Sequence, residues 1–425
     1  MHDVFILGIY ATGVGRFAAK DPKALVREAY MGVVADAELR DPEVIGGAWV
    51  GNMMMDHWGQ AYLKGQFCIS PLVNEGLFPK YAPVVNVEGG CAAGSLAFNG
   101  AVSAVLAGRC EVGLAVGVEK MYDPNDSGAA IKCIERAMDW LDPQSWQALY
   151  ARTAAECGRT FAWNPERSVA MDVYALWAHS HMKRYGTKPR HIAAAAAKNH
   201  CNSVHNPRAQ YRFPMTVEDV LNDRMVSDPL TRAMCAPIGD AAAAVLICSR
   251  NYLRTCAPAA RERAVPVRAH EVTAGVFDMS WDDDRAPVVA SRRAYRSAGL
   301  MPQDLSLVEL HDACSFAEIH LVEDLGLCER GQGGPFTASG ASARDGVVAV
   351  NVSGGLISRG HPVGATGIIV LNELCVQLRG EAGDLQVKAP RYGLAENGGG
   401  FIGNDAAVCS VTILERPSAQ LSGSL

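Results

Sequence analysis

The strongest constraint on the fold is an internal repeat. Residues 83–90, PVVNVEGG, match residues 348–355, VAVNVSGG, and each segment is an apolar run followed by Asn-Val-x-Gly-Gly and then small residues. Similarity between distant segments is the signature of related structural units in one chain. The repeat therefore predicts two copies of a strand-turn-helix unit that meet at a pseudo-symmetric centre.

The rest of the chain alternates apolar runs with helix-like stretches. Val, Ile and Ala runs bounded by Gly and Pro are typical of parallel strands covered by helices on both faces, which is the α/β class. The predicted strands fall into two groups: Val4–Tyr10, Val44–Val50, Val84–Val87 and Val112–Val118, then Leu307–Leu310, Val347–Val350 and Ala406–Leu414.

The two groups of strands divide the chain into halves. We expect a first half over residues 1–250 and a second half over residues 251–416, with a polar tail at 417–425. Residues 122–232 are rich in Trp, His, Arg and Pro and poor in strand signals, so they predict a helical insertion within the first half.

Composition excludes several classes of protein. A formal charge of -6 without a basic stripe argues against nucleic-acid binding. The sequence contains thirteen cysteines, an odd number, and no signal peptide, which favours a reducing cytoplasm. It contains no C-x-x-C pair, so we expect no metal site. No apolar run reaches the roughly 18 residues that a membrane span needs. We expect a cytoplasmic protein with small neutral or acidic partners.

Cys91 stands behind Gly89-Gly90 and in front of a run of small residues. The thiol would then lie at a helix N-terminus, where the peptide dipoles favour a thiolate and free N–H groups can donate to an oxyanion. The alternative is a buried small hydrophobe, the role of most free cysteines. Spacing alone leaves both interpretations open.

Two histidines follow strands in the second half. His361, in RGHPVGATG, enters a predicted helix through Pro362, a residue favoured in the first helical turn. His311 and Asp312 lie where another strand ends, which is the usual place for chemistry in such sheets, although Asp312 could simply cap a helix. Ser315 and Glu318 are spaced like a capping box.

A glycine-rich stretch near the C-terminus, AENGGGFIGND, offers consecutive N–H groups at Gly398, Gly399 and Gly400. These groups suit an oxyanion or a tight turn equally well. The stretch lacks the strand and helix context of a dinucleotide site. His205 and the cations around it predict a solvated loop rather than a phosphate site.

These motifs, taken in order, resemble those of thiolases, most closely the thiolase part of sterol carrier protein X and its bacterial relatives. NVEGGCAAGSLA resembles the nucleophile motif, VELHDACSFAE the His-Asp-Cys-Phe motif, and NVSGGLISRGHPVGATG the second histidine motif. The likeness extends from Val4 to about Leu414. It implies a duplicated, five-layer α-β-α-β-α fold and a reaction on acyl-coenzyme A, either thiolytic cleavage or Claisen condensation.

The resemblance also implies roles for the residues. Cys91 would carry the acyl group, His361 would activate it, and His311 would polarise the thioester carbonyl of the second substrate. The Gly398–Gly400 loop, together with the Cys91 N–H, would hold the first oxyanion. Acyl-CoA and CoA would be substrates, with no tightly bound cofactor.

The chain departs from the family at the acid/base cysteine. Thiolases commonly place it in the C-terminal glycine-rich loop, where this chain has Asn397, and sterol-carrier relatives place it directly after His-Asp, where this chain has Ala313. Cys314 follows one residue later, about 100° away on a helix. We expect Cys314 to pack, and keep acid/base catalysis as the alternative.

Three other functions remain open because of this departure. The chain could be an acyltransferase that uses another nucleophile, a decarboxylating condensing enzyme of the ketosynthase kind, or a non-catalytic scaffold subunit. The thiolase-like GHPVGATG favours a thiolase over a ketosynthase.

The resemblance implies partner proteins as well. We expect a homodimer or a dimer of dimers, with Val112–Val118 as an exposed strand that would otherwise be an unprotected edge. Related bacterial enzymes also work with a small OB-fold zinc-ribbon protein, which makes such a protein a candidate partner.

Overall fold

The computed structural model describes residues 3–417. The tail predicted at 417–425 lies outside the described residues from position 418 onward. The first part of the chain forms alternating strands and helices: β1 (Val4–Ala11), α1 (Pro22–Asp36), β2 (Ile45–Gly51), α2 (Lys64–Asn74), β3 (Val84–Val87), α3 (Ala93–Leu106) and β4 (Val112–Glu119).

A mainly helical segment follows β4, in the place where the sequence predicts an insertion. It contains five helices and a small two-stranded sheet: α4 (Ala129–Glu135), α5 (Pro143–Glu156), α6 (Val169–Tyr185), α7 (Pro189–Ser203), α8 (Val217–Leu221), β5 (Met225–Ser227) and β6 (Leu230–Thr231). The first half then ends with β7 (Ala241–Ser249), α9 (Arg250–Thr255) and α10 (Pro258–Arg263).

The second half repeats the alternation of strands and helices. Its elements are β8 (Val265–Ala274), α11 (Ala286–Ala298), β9 (Leu307–Glu309), α12 (Ser315–Asp324), α13 (Gly333–Ala338), β10 (Ala349–Val350), α14 (Thr366–Leu378), β11 (Tyr392–Ile402) and β12 (Asp405–Glu415).

Strand order shows that the two halves are copies of one unit. The first half has the order β3-β2-β4-β7-β1, and the second half has β10-β9-β11-β12-β8. These orders are the same when the strands of each half are counted along the chain. A short antiparallel contact between β1 and β8, with Phe5 opposite Pro266, joins them. The duplication predicted from the sequence repeat is confirmed.

The parallel pairing that the alternating pattern indicates holds for only some of the strands. β2 pairs in parallel with β3 and β4, and β9 with β10 and β11, but β7 and β12 run antiparallel to both neighbours. The predicted strand list also lacks β7, β8 and β11. The β7 sequence begins with four alanines, which favour helix over strand.

Helices lie on both faces of each sheet. In β7, Ala242, Ala244 and Leu246 pack in the core that contains α1 and α2, while Val245 and Ile247 pack in the core that contains α3 and α14. This alternation follows from the two-residue period of a strand. A third core contains α11, α12 and one face of β12. The helix pair α3 and α14 therefore lies between the two sheets, as the five-layer prediction requires.

The predicted exposed edge is also misplaced. β4 lies between β2 and β7, and every residue of it is buried. Among the strands of residues 3–417, the edge of the first half is β3, which pairs with β2 alone and has Val85 40% exposed. No helix among residues 3–417 is long and apolar enough to cross a membrane.

Candidate active site

Cys91 lies at the junction of β3 and α3. The chain leaves β3, turns through Gly90 at a φ of 55°, and makes one 3₁₀ turn over Gly90–Ala92 before α3 begins. The left-handed φ at Gly90 is a conformation that glycine adopts at no steric cost. The Cys91 thiol therefore stands at a helix N-terminus, as its sequence context indicates.

His361 occupies the corresponding junction in the second half. A π-helical turn, Gly355–Arg359, precedes it, and a 3₁₀ turn, Val363–Ala365, leads from it into α14. The buried guanidinium of Arg359 pairs with Glu309 on β9 at 3.2 Å. This ion pair joins the turn before His361 to β9.

The two junctions place the thiol and the imidazole in hydrogen-bond contact. Nε2 of His361 lies 3.3 Å from Sγ of Cys91, and Nδ1 lies 2.7 Å from Oγ1 of Thr366. The Thr366 hydroxyl donates its own hydrogen to the Pro362 carbonyl, so it accepts from Nδ1. Nδ1 therefore carries the ring proton, and Nε2 faces the thiol as an acceptor.

Burial keeps this pair neutral. Desolvation, with a further contribution from the Glu119 carboxyl, raises the pKa of the Cys91 thiol to about 12. Desolvation also lowers the pKa of His361 well below its usual range, and His311 and Arg359 add to that effect. The resting site thus holds a thiol and a neutral imidazole. The thiolate expected from the helix dipole is outweighed by the loss of solvent around Sγ.

His311 completes a three-residue cluster. It follows β9, and its ring centroid lies 5.0 Å from that of His361. The reactive atoms of Cys91, His311 and His361 all lie within 4.8 Å of one another. Three such donors are also a set that zinc can use. Burial lowers the pKa of His311 to about 4, so this imidazole is neutral as well.

Asn397 connects His311 to the first half of the chain. Its Oδ1 accepts a hydrogen bond from the Ser95 hydroxyl on α3 at 2.8 Å, and its Nδ2 lies 3.2 Å from Nδ1 of His311. Nε2 of His311 is buried and has no hydrogen-bond partner within residues 3–417. This nitrogen borders the same cavity as Cys91.

Gly398, Gly399 and Gly400 lie in strand β11, not in the predicted loop. Gly399 is needed for close approach, because a Cβ at this position would lie 2.0 Å from the Gly89 carbonyl oxygen. The backbone N–H of Gly400 bonds to the Cys91 thiol. β11 therefore passes directly against the turn that carries Cys91.

Asp312 and the predicted capping box have other roles. The Asp312 carboxyl accepts from the Leu356 N–H at 2.7 Å and from Asn199 at 2.9 Å, so it joins segments rather than capping α12. Cys314 is the N-cap residue of α12. Ser315, one position later, has a buried hydroxyl with no partner in the described chain, and Glu318 instead pairs with Lys198. The capping-box prediction is wrong.

Cys314 is fully buried in the core that contains α11 and α12, and its backbone pairs with Cys235. Ala313, and not Cys314, borders the cavity next to Cys91. Desolvation raises the pKa of the Cys314 thiol well above its usual range. His205 is exposed and lies 3.7 Å from Asp384 on the surface. Neither residue joins the cluster.

The cavity beside Cys91 has a volume of about 110 Å³. Pockets for whole drug-sized ligands measure roughly 300–1,000 Å³, so this space fits the reacting end of a larger substrate. Its apolar walls come mostly from the helical insertion and α12, with Met138, Val169, Met171, Tyr174, Trp177, Ala317 and Leu321. Phe401 on β11 completes them.

Among the polar residues of the cavity that sequence reasoning missed are Glu396 and His320. Glu396 immediately precedes Asn397 and the glycine run, and His320 stands four residues before Asp324 on α12. A carboxylate beside a glycine run and a His-Asp pair at helical spacing were the available signals. Both residues occur within motifs that otherwise resemble strand and core patterns, so neither stood out.

Comparison with known proteins decides the family. Residues 4–251 match the model of the thiolase N-terminal domain, and residues 274–415 match the thiolase C-terminal domain-like model. The chain belongs to the thiolase family. Among its relatives is the acetyl-CoA acetyltransferase of Methanothermobacter thermautotrophicus, 37% identical over 413 residues, which cover 96% of this chain and 99% of the relative. This thiolase is therefore an acyltransferase enzyme.

Two further similarities agree with the resemblance seen in the sequence. Sterol carrier protein 2 of Oryctolagus cuniculus is 31% identical over 411 residues, which cover 93% of this thiolase and 69% of that protein. The solved structure of an Ltp2-ChsH2(DUF35) aldolase aligns with a TM-score of 0.75 at 21% identity, covering 98% of this thiolase and 99% of that chain. This second likeness shows the fold alone.

The contact between Thr366 and His361 generates a prediction. Thr366→Val removes the acceptor that holds the Nδ1 proton, so the imidazole loses its preferred tautomer and orientation. We expect alkylation of Cys91 by iodoacetamide at neutral pH to slow by about tenfold, measured by mass spectrometry of the Cys91 peptide. Thr366→Ser, which retains the hydroxyl, is the matched control and should alkylate like the wild type. Equal rates in all three proteins would contradict this role.

Proposed function

We propose that this thiolase is an acyl-CoA C-acyltransferase that works through an acyl-enzyme on Cys91. The observation that carries the proposal is the 3.3 Å contact between Sγ of Cys91 and Nε2 of His361, with Nδ1 held by Thr366. A nucleophile, an adjacent base and a third group that orients the base are the parts that nucleophilic catalysis needs. Coenzyme A thioesters are the proposed substrates.

In the first step, Sγ attacks the thioester carbonyl while His361 takes the thiol proton. The new C–S bond forms as the bond to the CoA sulfur breaks, and His361 returns the proton to the CoA thiolate. We assign stabilisation of the oxyanion to the backbone N–H groups of Cys91 and Gly400, whose proximity to the thiol acts to lower its pKa. His311 Nε2, unpartnered among residues 3–417, would donate to the carbonyl of the second thioester.

The second step requires a group that removes an α-proton, and we assign it to Glu396. Its carboxyl borders the cavity and accepts a hydrogen bond from the backbone N–H of His311 at 3.1 Å. A Cβ on Gly398 would lie 3.6 Å from Oε1 of Glu396 and 3.7 Å from Nδ1 of His311, which puts the carboxyl beside the cluster. Burial raises the pKa of Glu396 to about 7, a value suited to proton transfer near neutral pH.

This assignment gives a balanced condensation. The Glu396 carboxylate takes the α-proton of the second acyl-CoA, and the resulting enolate attacks the acyl carbonyl on Cys91. A C–C bond forms, the C–S bond to Cys91 breaks, and the Cys91 thiolate recovers, through His361, the proton that Glu396 took from the α-carbon, so that every group returns to its resting state. Thiolytic cleavage is the reverse sequence. Cys314 then has the packing role that its complete burial supports.

The acyl-enzyme is tested directly. Incubation with acetyl-CoA should add one acetyl group to the Cys91 peptide, detected by mass spectrometry, and Cys91→Ala should remove the adduct. A chelator should leave the adduct unchanged, since no step uses a metal. An adduct that persists in Cys91→Ala, or none in the folded wild type, would reject the proposal, and the latter result would favour a scaffold subunit.

The acid/base assignment is tested by deuterium uptake at the α-carbon of bound acyl-CoA. Glu396→Gln should lower exchange by about a hundredfold or more, with Cys91 acylation retained, because acylation uses His361. Cys314→Ala is the matched control and should exchange normally. Wild-type exchange should rise with pH through about 7, because the carboxylate forms as the pH passes the pKa of Glu396.

The outcomes of this experiment separate the alternatives. Loss of exchange in Cys314→Ala, with exchange intact in Glu396→Gln, would assign the acid/base role to Cys314. Acylation without exchange in the wild type would favour an acyltransferase that uses another nucleophile, or a decarboxylating condensing enzyme.

We also propose a homodimer formed through β3. This edge strand is unpaired on one side within residues 3–417, and exposed apolar side chains surround it: Tyr62, Leu63, Phe67, Tyr81 and Val85. Light scattering at micromolar concentration should give twice the 45.3 kDa of one chain, or four times for a dimer of dimers. Val85→Lys on the open edge should shift the mass towards a monomer. A wild-type monomer would contradict the proposal.

A partner protein and a compartment complete the proposal. The aligned aldolase structure includes a DUF35 protein, and this supports a small OB-fold zinc-ribbon partner for the present thiolase.

All thirteen cysteines are free, which supports a reducing, cytoplasmic location.

A further inference from the structure

His320 has a feature that the proposed reaction does not use. It lies on α12, it is 5% exposed, and its ring borders the same cavity as Cys91. Its position, five residues after Ser315, puts it about 7.5 Å along the helix from the first residue of α12. His311 lies before that end of the helix, so His320 borders the part of the cavity that is remote from the reacting carbonyl.

The surroundings of His320 determine which of its nitrogens carries a proton. Nδ1 lies 3.2 Å from Oδ2 of Asp324, while Oδ1 of Asp324 pairs with Arg285 at 2.9 Å. Burial raises the pKa of the Asp324 carboxyl. The neighbouring Arg285 guanidinium is the main effect that opposes burial, and the pKa falls to about 2. An ionised carboxylate only accepts hydrogen bonds, so Nδ1 is the donor.

The second nitrogen is therefore an acceptor without a donor. Burial lowers the pKa of His320, with Arg285 adding to the effect and Asp324 opposing it, so the ring is neutral. A neutral ring protonated at Nδ1 has a lone pair on Nε2. This nitrogen is buried and has no hydrogen-bond partner within residues 3–417. An unsatisfied buried acceptor is costly, which makes it a site for a ligand that supplies a donor.

The rings that pack against His320 offer its Nε2 no hydrogen-bond donor, since the Trp177 indole N–H is donated to Asn404. The rings of Trp177 and Phe316 pack against His320 at centroid distances of 5.9 and 5.4 Å. Leu321 and Ala317 form the same face of α12. A chain of carbon atoms fits these walls, and His320 offers one polar contact at its far end.

We propose that the acyl group of the substrate carries a hydroxyl remote from the thioester, which donates a hydrogen bond to Nε2 of His320. This inference rests on the proposed function, because it takes the cavity beside Cys91 as the acyl site. It makes His320 a residue that selects among acyl groups rather than one that takes part in bond breaking.

The test compares matched acyl-CoA pairs in single-turnover acylation of Cys91. Butanoyl-, hexanoyl- and octanoyl-CoA are each compared with the ω-hydroxy derivative of the same length, and the adduct is followed by mass spectrometry. At the length that reaches His320, the hydroxylated substrate should react about tenfold to a hundredfold more efficiently in the wild type. His320→Leu should abolish this preference while still reacting with the unsubstituted chain.

Leu321→Val is the matched control, because it alters the volume of the same cavity wall without changing a hydrogen bond. It should change both members of a pair alike and keep the preference. Equal reaction of both members at every length in the wild type would overturn the inference and leave the acyl-enzyme intact. Absence of any adduct in the wild type would instead reject the proposed function, and the hydroxyl site with it. The wild-type comparison decides the matter even if His320→Leu fails to fold.

Discussion

The close contact between the N-termini of α3 and α14 is the constraint on which the site depends. A Cβ on Gly94 would lie 2.8 Å from the Gly364 carbonyl oxygen, so the two backbones meet where no side chain could fit. Cys91 stands three residues before Gly94, and His361 stands three residues before Gly364. The close packing of the two helices therefore brings Sγ of Cys91 within 3.3 Å of Nε2 of His361. Glu119, at the end of β4, stabilises this helix contact by accepting a hydrogen bond from the Gly364 N–H at 3.0 Å.

The removal of water from the site determines the protonation of its residues. Burial raises the pKa values of Cys91 and Glu396 and lowers those of His311 and His361, so these groups rest close to neutrality. Neutral groups cost less to bury than charges do. In the proposed mechanism, protons therefore move only when a substrate supplies a partner. The low polarity around the cluster also strengthens each hydrogen bond to a developing oxyanion.

Much of the fold could be predicted from local pattern. The repeat of Asn-Val-x-Gly-Gly led to the duplicated architecture, and strands such as Val84–Val87 were placed correctly. The alanine-rich β7 and the glycine-rich β11 could not be predicted as strands, because neither composition favours a strand. Only pairing with neighbouring strands stabilises them. The placement of Val112–Val118 at an edge failed for a related reason. Strand order is set by contacts between distant segments, which the pattern within one segment does not contain.

The sequence by itself determined the family, the duplicated unit and the candidate site residues, since short motifs carry backbone turns and reactive side chains together. Only the tertiary structure decided the surroundings of these residues. It showed the tautomer of His361 through Thr366, placed Cys314 in the core one residue beyond the cavity, and put Glu396 and His320 on the cavity wall. Protonation and orientation depend on solvent exclusion and on partners from other strands and helices. Those partners come together only when the two halves of the chain pack on each other.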